Sequence, residues 1–164
     1  WDLCQQQYAK QDAAGRSLEV LCYADYQALS QQGKKSSVAA EVVQELGRQA
    51  PGCNRLLEEA ARRGDLKQAD AWRRVRGLIS NNQMTDARNL AAALGSPLDG
   101  SAGGQGAQEA LLINVIGPTA QKSTASAGTL ESLSGSLTRE QVGFAWGVLG
   151  YEQAKNQNFG ASLS

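Results

Sequence analysis

Apolar side chains recur at intervals of three, four and seven residues along the segment from Cys53 to Gly95. Such spacing places them on one face of an α-helix, the face that a globular protein buries. Only short polar turns separate the groups, so the segment predicts three consecutive helices. The three groups are Leu56, Leu57, Ala60 and Ala61; Ala71, Trp72, Val75, Leu78 and Ile79; and Ala87, Leu90, Ala91 and Leu94.

Glycine recurs at a regular interval near the predicted helix ends. Gly33, Gly64 and Gly95 are 31 residues apart. Glycine is favoured just beyond the last turn of a helix, because it adopts a left-handed conformation without a clash at Cβ. Repeats in the low thirties with two helices per unit are typical of helical-repeat proteins. We therefore predict an all-α fold, a superhelical array of antiparallel helix hairpins that resembles an α-solenoid. The predicted helix-opening positions lie eleven residues before each glycine: Cys22, Cys53 and Met84.

The returning helices of the array are predicted at 37–48 and 68–80. Looser connectors rich in glycine and serine follow at 96–106 and 118–136, on either side of a short apolar helix at 107–116. We interpret residues 1–164 as one segment of a helical superhelix domain. Because the chain starts at Trp1, inside a predicted helix at 2–9, we expect the segment to have been excised from a longer protein.

A last helix is predicted at 138–155. Thr138 and Gln141 have the spacing of a capping box, in which each residue satisfies the other's backbone N–H. Gly143 and Gly147 lie four residues apart within this helix. Each glycine costs a helix interior about 1 kcal/mol relative to alanine, so we expect another helix to pack closely against them.

Charge and composition exclude several classes of function. The chain has 16 basic and 16 acidic residues, so it has no general attraction to nucleic acid or anionic lipid. It has no histidine, which removes Ser-His-Asp and Cys-His catalysis and the commonest metal ligand. No apolar run reaches the roughly 18 residues of a membrane span. We predict no catalytic, cofactor-binding or metal-binding residue, no cofactor, no nucleic-acid partner and no membrane span.

The sequence assigns the charged and aromatic side chains that could form a site to the solvated surface or to the core. Arg73, Arg74 and Arg76 follow acidic neighbours on one predicted helix, and we expect them on a solvated face. Adjacent carboxylates are also expected on the surface, where burial does not shift their pKa values as acid–base catalysis requires. The carboxylates are Glu58, Glu59, Asp65 and Asp70. We assign the aromatic residues with helical core spacing to the core: Tyr23, Tyr26, Trp72, Trp146 and Tyr151.

The three cysteines are Cys4, Cys22 and Cys53. Two of them could form one disulfide, in any of three pairings, and their spacing matches no zinc motif. In an oxidising compartment a bridge between Cys22 and Cys53 would link two predicted helices and contribute about 3–4 kcal/mol. In a reducing compartment all three would be buried thiols, so the spacing leaves both states open.

Five short motifs occur in a particular order along nearly the whole chain. They are Cys22-Tyr23-Ala24; Cys53-Asn54-Arg55-Leu56-Leu57 in a helix that ends in Arg63-Gly64; Ala71-Trp72-Arg73-Arg74-Val75-Arg76; Ala87-Arg88-Asn89-Leu90-Ala91; and Thr138-Arg139-Glu140-Gln141 with Phe144-Ala145. This ordered series resembles the superhelical region of the periplasmic soluble lytic murein transglycosylases. The resemblance implies a ring-like superhelix of helix hairpins, which in that family accompanies a separate C-terminal lysozyme-like domain.

The resemblance also implies an activity for the parent protein. Enzymes of this family cleave the MurNAc–GlcNAc bond of peptidoglycan without water and leave a 1,6-anhydromuramoyl end. Their acid–base glutamate lies in a Glu-Ser pair that precedes a Gly-Leu-Met-Gln motif. Here Glu131-Ser132 is the only Glu-Ser pair, and no Gly-Leu-Met-Gln follows it. The resemblance therefore implies a non-catalytic scaffold segment, inactive alone, of a peptidoglycan lyase.

Compartment, disulfide and partners follow from the same resemblance. It implies an oxidising periplasm, with a disulfide between Cys22 and Cys53 and no assigned partner for Cys4. The implied partners are peptidoglycan glycan strands, reached through the parent enzyme, and proteins of the cell-wall machinery. A lipid anchor on the parent would add association with the outer membrane. The alternative function is a stand-alone helical-repeat adaptor that binds a protein or peptide in a concave groove.

Overall fold

The computed structural model describes residues 17–33, 35–101, 103–123 and 125–161. Within these ranges the chain forms eight α-helices, two short 3₁₀ helices and no strand, so the predicted all-α class is confirmed. The predicted helix at 2–9 and Cys4 lie outside the described residues. The α-helices are α1 (Leu18–Gln32), α2 (Ser37–Val42), α3 (Pro51–Arg62), α4 (Gln68–Ser80), α5 (Met84–Ala93), α6 (Gly104–Ile116), α7 (Ser126–Leu133) and α8 (Arg139–Ala161). The 3₁₀ helices are Ala120–Lys122 and Ser134–Ser136.

Several helices pack on the helix two places further along the chain. α1 contacts α3, and α3 contacts α5; α4 contacts α6, and α6 contacts α8. The hairpin partners α4 and α5 also pack together, and α7 contacts both α6 and α8. A single buried cluster of mostly aliphatic side chains joins these elements. The short α2 is held against α1 and α3.

Glycine ends α1, α3 and α5, which pack side by side in one row, as the sequence predicted. Gly33, Gly64 and Gly95 have φ values of 66°, 72° and 78°, in the left-handed region that disfavours residues with a Cβ. After α3, the N–H of Asp65 donates to the Ala60 carbonyl at 2.9 Å, the long bond of a Schellman motif. The corresponding bond after α5 joins Ser96 and Ala91. The 31-residue spacing is therefore a repeated helix end.

The starts of α1 and α6 lie three or more residues before the predicted ones, and α8 continues to Ala161, beyond the predicted end at 155. α1 begins at Leu18 rather than Cys22, because the Ser17 side chain caps the helix and accepts a hydrogen bond from the N–H of Val20 at 3.4 Å. α6 begins at Gly104, three residues before the predicted start. There the Ser96 hydroxyl accepts from the N–H of Gly106 at 2.9 Å and fixes the first turn.

The returning helix predicted at 37–48 is shorter, since α2 stops at Val42. Beyond Val42, two backbone carbonyl groups accept hydrogen bonds from a side chain of another helix. The Arg74 guanidinium donates from Nη1 to the carbonyl oxygens of Glu45, at 2.5 Å, and Gly47, at 2.8 Å. A side chain from α4 thus satisfies two backbone carbonyl groups of the chain that follows α2. The other returning helix, α4, has the predicted bounds.

The last helix begins as its capping box predicts. The N–H of Thr138 donates to Gln141 Oε1 at 2.8 Å, and the N–H of Gln141 donates to Thr138 Oγ1 at 3.2 Å. The expectation of a helix packed on Gly143 and Gly147 is wrong for the described chain. A Cβ built at either position meets nothing within 4 Å. This face of α8 is open.

The aromatic residues divide between core and surface. Trp72 is buried, as predicted, and its indole N–H donates to Gln68 Oε1 at 3.2 Å. Assignment of Trp146 and Tyr151 to the core is wrong, since they are 41% and 69% exposed. Both lie on α8, where Ala145 and Leu149 occupy the buried stripe instead. The two bulky aromatic side chains lie outside this buried stripe.

Candidate functional site

One covalent bond joins the first two helices of the α1–α3–α5 row. Cys22, in the second turn of α1, and Cys53, in the first turn of α3, form a disulfide with a Cα–Cα distance of 4.8 Å. Both residues are buried. This is the pair that the sequence resemblance implied, and its two members are 31 residues apart, the interval of the glycine caps.

Glu131 and Ser132 have none of the surroundings of an acid–base site. Glu131 and Ser132 lie on α7, and Glu131 is exposed. The Ser132 hydroxyl donates to the carbonyl oxygen of Thr129 at 2.7 Å, a bond within its own helix. A glutamate tuned for proton transfer needs burial or a close charge partner. The structure therefore gives this pair no catalytic setting.

The arginine cluster on α4 is not the solvated face that the sequence suggested. Arg73 is exposed, but Arg74 and Arg76 are 0% and 2% exposed. Burial lowers the pKa of Arg74 to about 10. A buried cation is stable only where donors and charges are satisfied. Arg74 Nη1 donates to the two carbonyl groups beyond α2, and the two terminal nitrogens of Arg76 pair with carboxylates. Arg74 Nε and Nη2 and Arg76 Nε are buried without a partner.

Arg76 joins three helices through charged groups. Its Nη1 donates to Glu109 Oε1 on α6 at 2.6 Å, and its Nη2 donates to Glu140 Oε1 on α8 at 2.5 Å. Glu109 Oε1 also accepts from the amides of Gln105 and Gln141, both at 3.0 Å. Glu109 is completely buried. Its carboxylate is therefore a structural anchor, out of reach of any polymer.

Glu58 is the carboxylate in α3 whose acidity the fold changes. Burial raises its pKa, against opposing contributions from a hydrogen bond to Asn89 and the charge of Arg62. The expectation of a fully solvated carboxylate is therefore wrong for this residue. Its side chain is 15% exposed and lies 3.4 Å from Arg62 Nη2. The upward pKa shift reflects packing, because burial is its largest cause and the charge of Asp86 adds a smaller upward contribution.

A cleft of about 360 Å³ opens between the start of α3 and the turn that joins α4 to α5. We call it the inter-unit cleft. One side is formed by the chain before α3 and by its first turn, and the other by the turn between α4 and α5 and the first turn of α5. Its lining is mostly polar, with only two apolar side chains. The lining residues are Arg48, Gln49, Pro51, Asn54, Asn82, Gln83, Met84, Thr85 and Asp86.

Sequence reasoning missed this cleft, although two signals were present. Amide side chains cluster at both unit boundaries, as Gln49 with Asn54 and as Asn82 with Gln83. The repeat interval of 31 residues also relates Pro51 to Asn82, so corresponding positions meet in space. An asparagine such as Asn82, between two predicted helices, is ordinarily explained by the turn itself, because turns and caps are where asparagine is usually found.

The described ranges contain neither a metal-binding cluster nor a membrane-spanning helix. No group of three or more His, Cys, Asp or Glu side chains in these ranges could hold a metal ion. None of the helices described is both long and apolar enough to cross a bilayer.

Comparisons with known proteins give no family for the chain. No protein-family model matches it. No curated protein is significantly similar to it in sequence.

Proposed function

We propose that this chain is a segment of the non-catalytic superhelical scaffold of a periplasmic soluble lytic murein transglycosylase. The parent enzyme would cleave the MurNAc–GlcNAc bond of peptidoglycan and leave 1,6-anhydromuramoyl ends. In this proposal the helices are part of a superhelical array of hairpins, and the segment positions glycan strands or shapes the enzyme ring. The segment itself supplies no catalytic residue.

The observation that carries the proposal is the disulfide between Cys22 and Cys53. It links two helices that pack side by side, at positions one repeat interval apart. Disulfides persist in oxidising compartments and are rare in the cytosol. The bond therefore favours an envelope or secreted protein over the alternative of a cytosolic helical-repeat adaptor.

The motifs behind the resemblance support the proposal because they hold the helices together. The α4 motif contributes buried Trp72, Arg74 and Arg76. Thr138 and Gln141 form the capping box that starts α8. Two proteins that share a helical architecture need similar packing residues, but they do not need the same catalytic residues. The Glu131–Ser132 pair, without a catalytic setting, is consistent with a segment that does not cleave murein.

Isolation of the protein from its natural source tests the proposal. Non-reducing peptide mapping with thiol counting would establish the cysteine pairing, and intact mass would give the size of the parent. We expect a bridge between Cys22 and Cys53 in a much heavier parent that carries a Glu-Ser and Gly-Leu-Met-Gln domain. Free thiols at both positions, in a chain no longer than this one, would overturn the proposal and leave the adaptor.

A murein digestion assay adds a functional readout. The intact parent, incubated with purified peptidoglycan sacculi, should release 1,6-anhydromuropeptides that mass spectrometry identifies. The 164-residue chain, at the same concentration, should release none. Release by the chain alone would place catalysis in a segment to which the proposal assigns none.

A further inference from the structure

The inter-unit cleft contains hydrogen-bond acceptors that the protein leaves unused. Three side-chain oxygens in its lining are buried and have no hydrogen-bond partner: Gln49 Oε1, Asn54 Oδ1 and Gln83 Oε1. Asn54 and Gln83 are only 6% and 9% exposed. Buried polar atoms in proteins are almost always paired, since an unpaired one costs about 1–3 kcal/mol. Of the seven such atoms in the described residues, these three belong to residues that line the cleft, and the other four belong to Arg74, Arg76 and Glu109.

The orientation of two of these amides is fixed by their nitrogen atoms. Gln49 Nε2 donates to the carbonyl oxygen of Val42 at 2.8 Å. Gln83 Nε2 donates to Asp86 Oδ2 at 3.2 Å and to the Gln49 carbonyl at 3.4 Å. Rotating either amide would lose these bonds. The oxygens are therefore held as acceptors.

A ligand that satisfies the cleft must present several O–H or N–H donors within a small volume. The cleft lies near the lower end of the roughly 300–1,000 Å³ that is usual for small-molecule sites. Its charged members are Arg48 and Asp86, whose formal charges cancel, so it has no preference for an anion or a cation. These features favour a neutral polyhydroxyl ligand.

A peptide fits the cleft less well than a sugar. Peptides bound in grooves gain most from apolar side-chain pockets or from pairing with a sheet edge. The cleft offers only Pro51 and Met84 as apolar lining, and the described ranges contain no sheet. Sugar rings carry hydroxyl donors at fixed angles around a compact frame, which matches several rigid acceptors in one place.

We propose that the inter-unit cleft is a binding site for a neutral saccharide, held by hydrogen bonds from its hydroxyl or acetamido groups to Gln49, Asn54 and Gln83. Asp86 and Arg48 lie at the same cleft and supply a further acceptor and donor. The inference stands on the cleft alone. It remains valid if the parent is not a transglycosylase, and its failure would leave the scaffold proposal intact.

Titration of the ¹⁵N-labelled 164-residue chain with tetra-N-acetylchitotetraose tests the site by NMR. We expect saturable shifts in the side-chain NH₂ signals of Gln49 and Gln83 and in the backbone amides of 82–86. Absence of saturable shifts, or shifts located away from the cleft, would overturn the proposal. A neutral tripeptide is titrated in parallel, and saturable binding of it in place of the sugar would also overturn the proposal.

Two substitutions separate a binding role from a structural one. Asn54→Leu and Gln83→Met each remove an unpaired acceptor while keeping approximate size, so we expect affinity for the tetrasaccharide to fall roughly five- to tenfold. Gln83→Met also removes the two hydrogen bonds that Gln83 Nε2 donates, so Asn54→Leu is the cleaner of the two variants. The melting temperature of the free chain should not fall with Asn54→Leu, because a buried unpaired atom is removed. Unchanged affinity in both variants would contradict the assignment.

The matched control is Gln31→Met on α1, where the glutamine is exposed and outside the cleft. Its affinity should equal that of the unmodified chain. If a cleft variant fails to fold, the titration of the unmodified chain still decides the question, because the position of the shifts does not depend on any variant.

Discussion

Arg76 Nη1 lies 2.6 Å from Glu109 Oε1, and neither side chain is more than 2% exposed. The same guanidinium reaches Glu140, which is 61% exposed, on a third helix. One buried cation therefore links α4, α6 and α8, three helices that pack one after another. Its ring contact with Phe144, 5.6 Å from the guanidinium carbon to the ring centroid, covers the pair on the α8 side.

Loss of one partner of this pair should be strongly destabilising. Glu109→Leu leaves the buried Arg76 with only the exposed Glu140, and we expect a loss of about 3–5 kcal/mol in the free energy of unfolding. The double variant Arg76→Met with Glu109→Leu should recover most of that loss, because no uncompensated charge remains buried. Urea unfolding followed by far-UV circular dichroism measures both.

The control for this cycle is an exposed ion pair on α3. Arg62 contacts Glu58 and Glu59 at the surface, and Arg62→Ala should cost less than about 1 kcal/mol. Equal losses from Arg62→Ala and Glu109→Leu would show that the buried network contributes no more than a surface pair.

Reduction of the Cys22–Cys53 disulfide should destabilise the chain without changing its helical content at low temperature. The bond closes a loop across a sequence separation of 31 residues, for which the chain-entropy model gives about 3–4 kcal/mol. Denaturant unfolding with and without dithiothreitol measures the difference. In the Cys22→Ala, Cys53→Ala variant the reductant should have no effect, and a persistent effect there would assign the loss to another cause.

Substitution of two helical glycines by alanine should change the stability of the chain in opposite directions. At Gly106 a Cβ would lie 2.0 Å from the Ser96 carbonyl oxygen, so Gly106→Ala must displace backbone and should cost more than about 2 kcal/mol. At Gly143 a Cβ meets nothing, so Gly143→Ala should stabilise by about 0.5–1 kcal/mol. Thermal melts compare the two. A destabilising Gly143→Ala would indicate that another surface covers this face.

Glu58 should make stability depend on pH near its titration. Its folded pKa is raised above the ordinary value of 4.5 by burial, so the folded state binds the proton more tightly than the unfolded state. The burial of Glu58 is therefore a cost above the folded pKa, and the cost disappears as pH falls below 4.5. Glu58→Gln should raise the melting temperature at about pH 7, and the gain should vanish below pH 4.5.

The control for the pH experiment is Glu59→Gln, which removes a carboxylate that contacts the same Arg62 at 2.8 Å. It reports the effect of losing that ion pair without changing Glu58. An identical pH profile for both variants would contradict the assignment to Glu58.

The sequence predicted features that depend on local order. The left-handed helix ends at Gly33, Gly64 and Gly95, the bounds of α4 and the capping box at Thr138 are all short-range relationships, and each appears in the structure. These features follow from backbone geometry and helical periodicity, which a single sequence expresses directly.

The predictions that were wrong concern residues whose partners are distant in the sequence. Arg74 and Arg76 were expected at the surface because charged residues rarely lie inside. Their burial requires the Glu45 and Gly47 carbonyls and the Glu109 carboxylate, and no local sequence pattern predicts those contacts. The inter-unit cleft was missed for the same reason, since its two sides are about one repeat apart in the chain.

The disulfide also has a mechanical consequence. If the molecule were pulled from its two ends, force would pass directly from Cys22 to Cys53 through the sulfur atoms and bypass α2. The enclosed segment, at about 3.3–3.6 Å per extended residue, would withhold on the order of 100 Å of chain length. The tethered loop would stay slack under load, so α2 would be shielded from tension until the bond was reduced, whereas Arg74 on α4 lies in the part of the chain that bears the load.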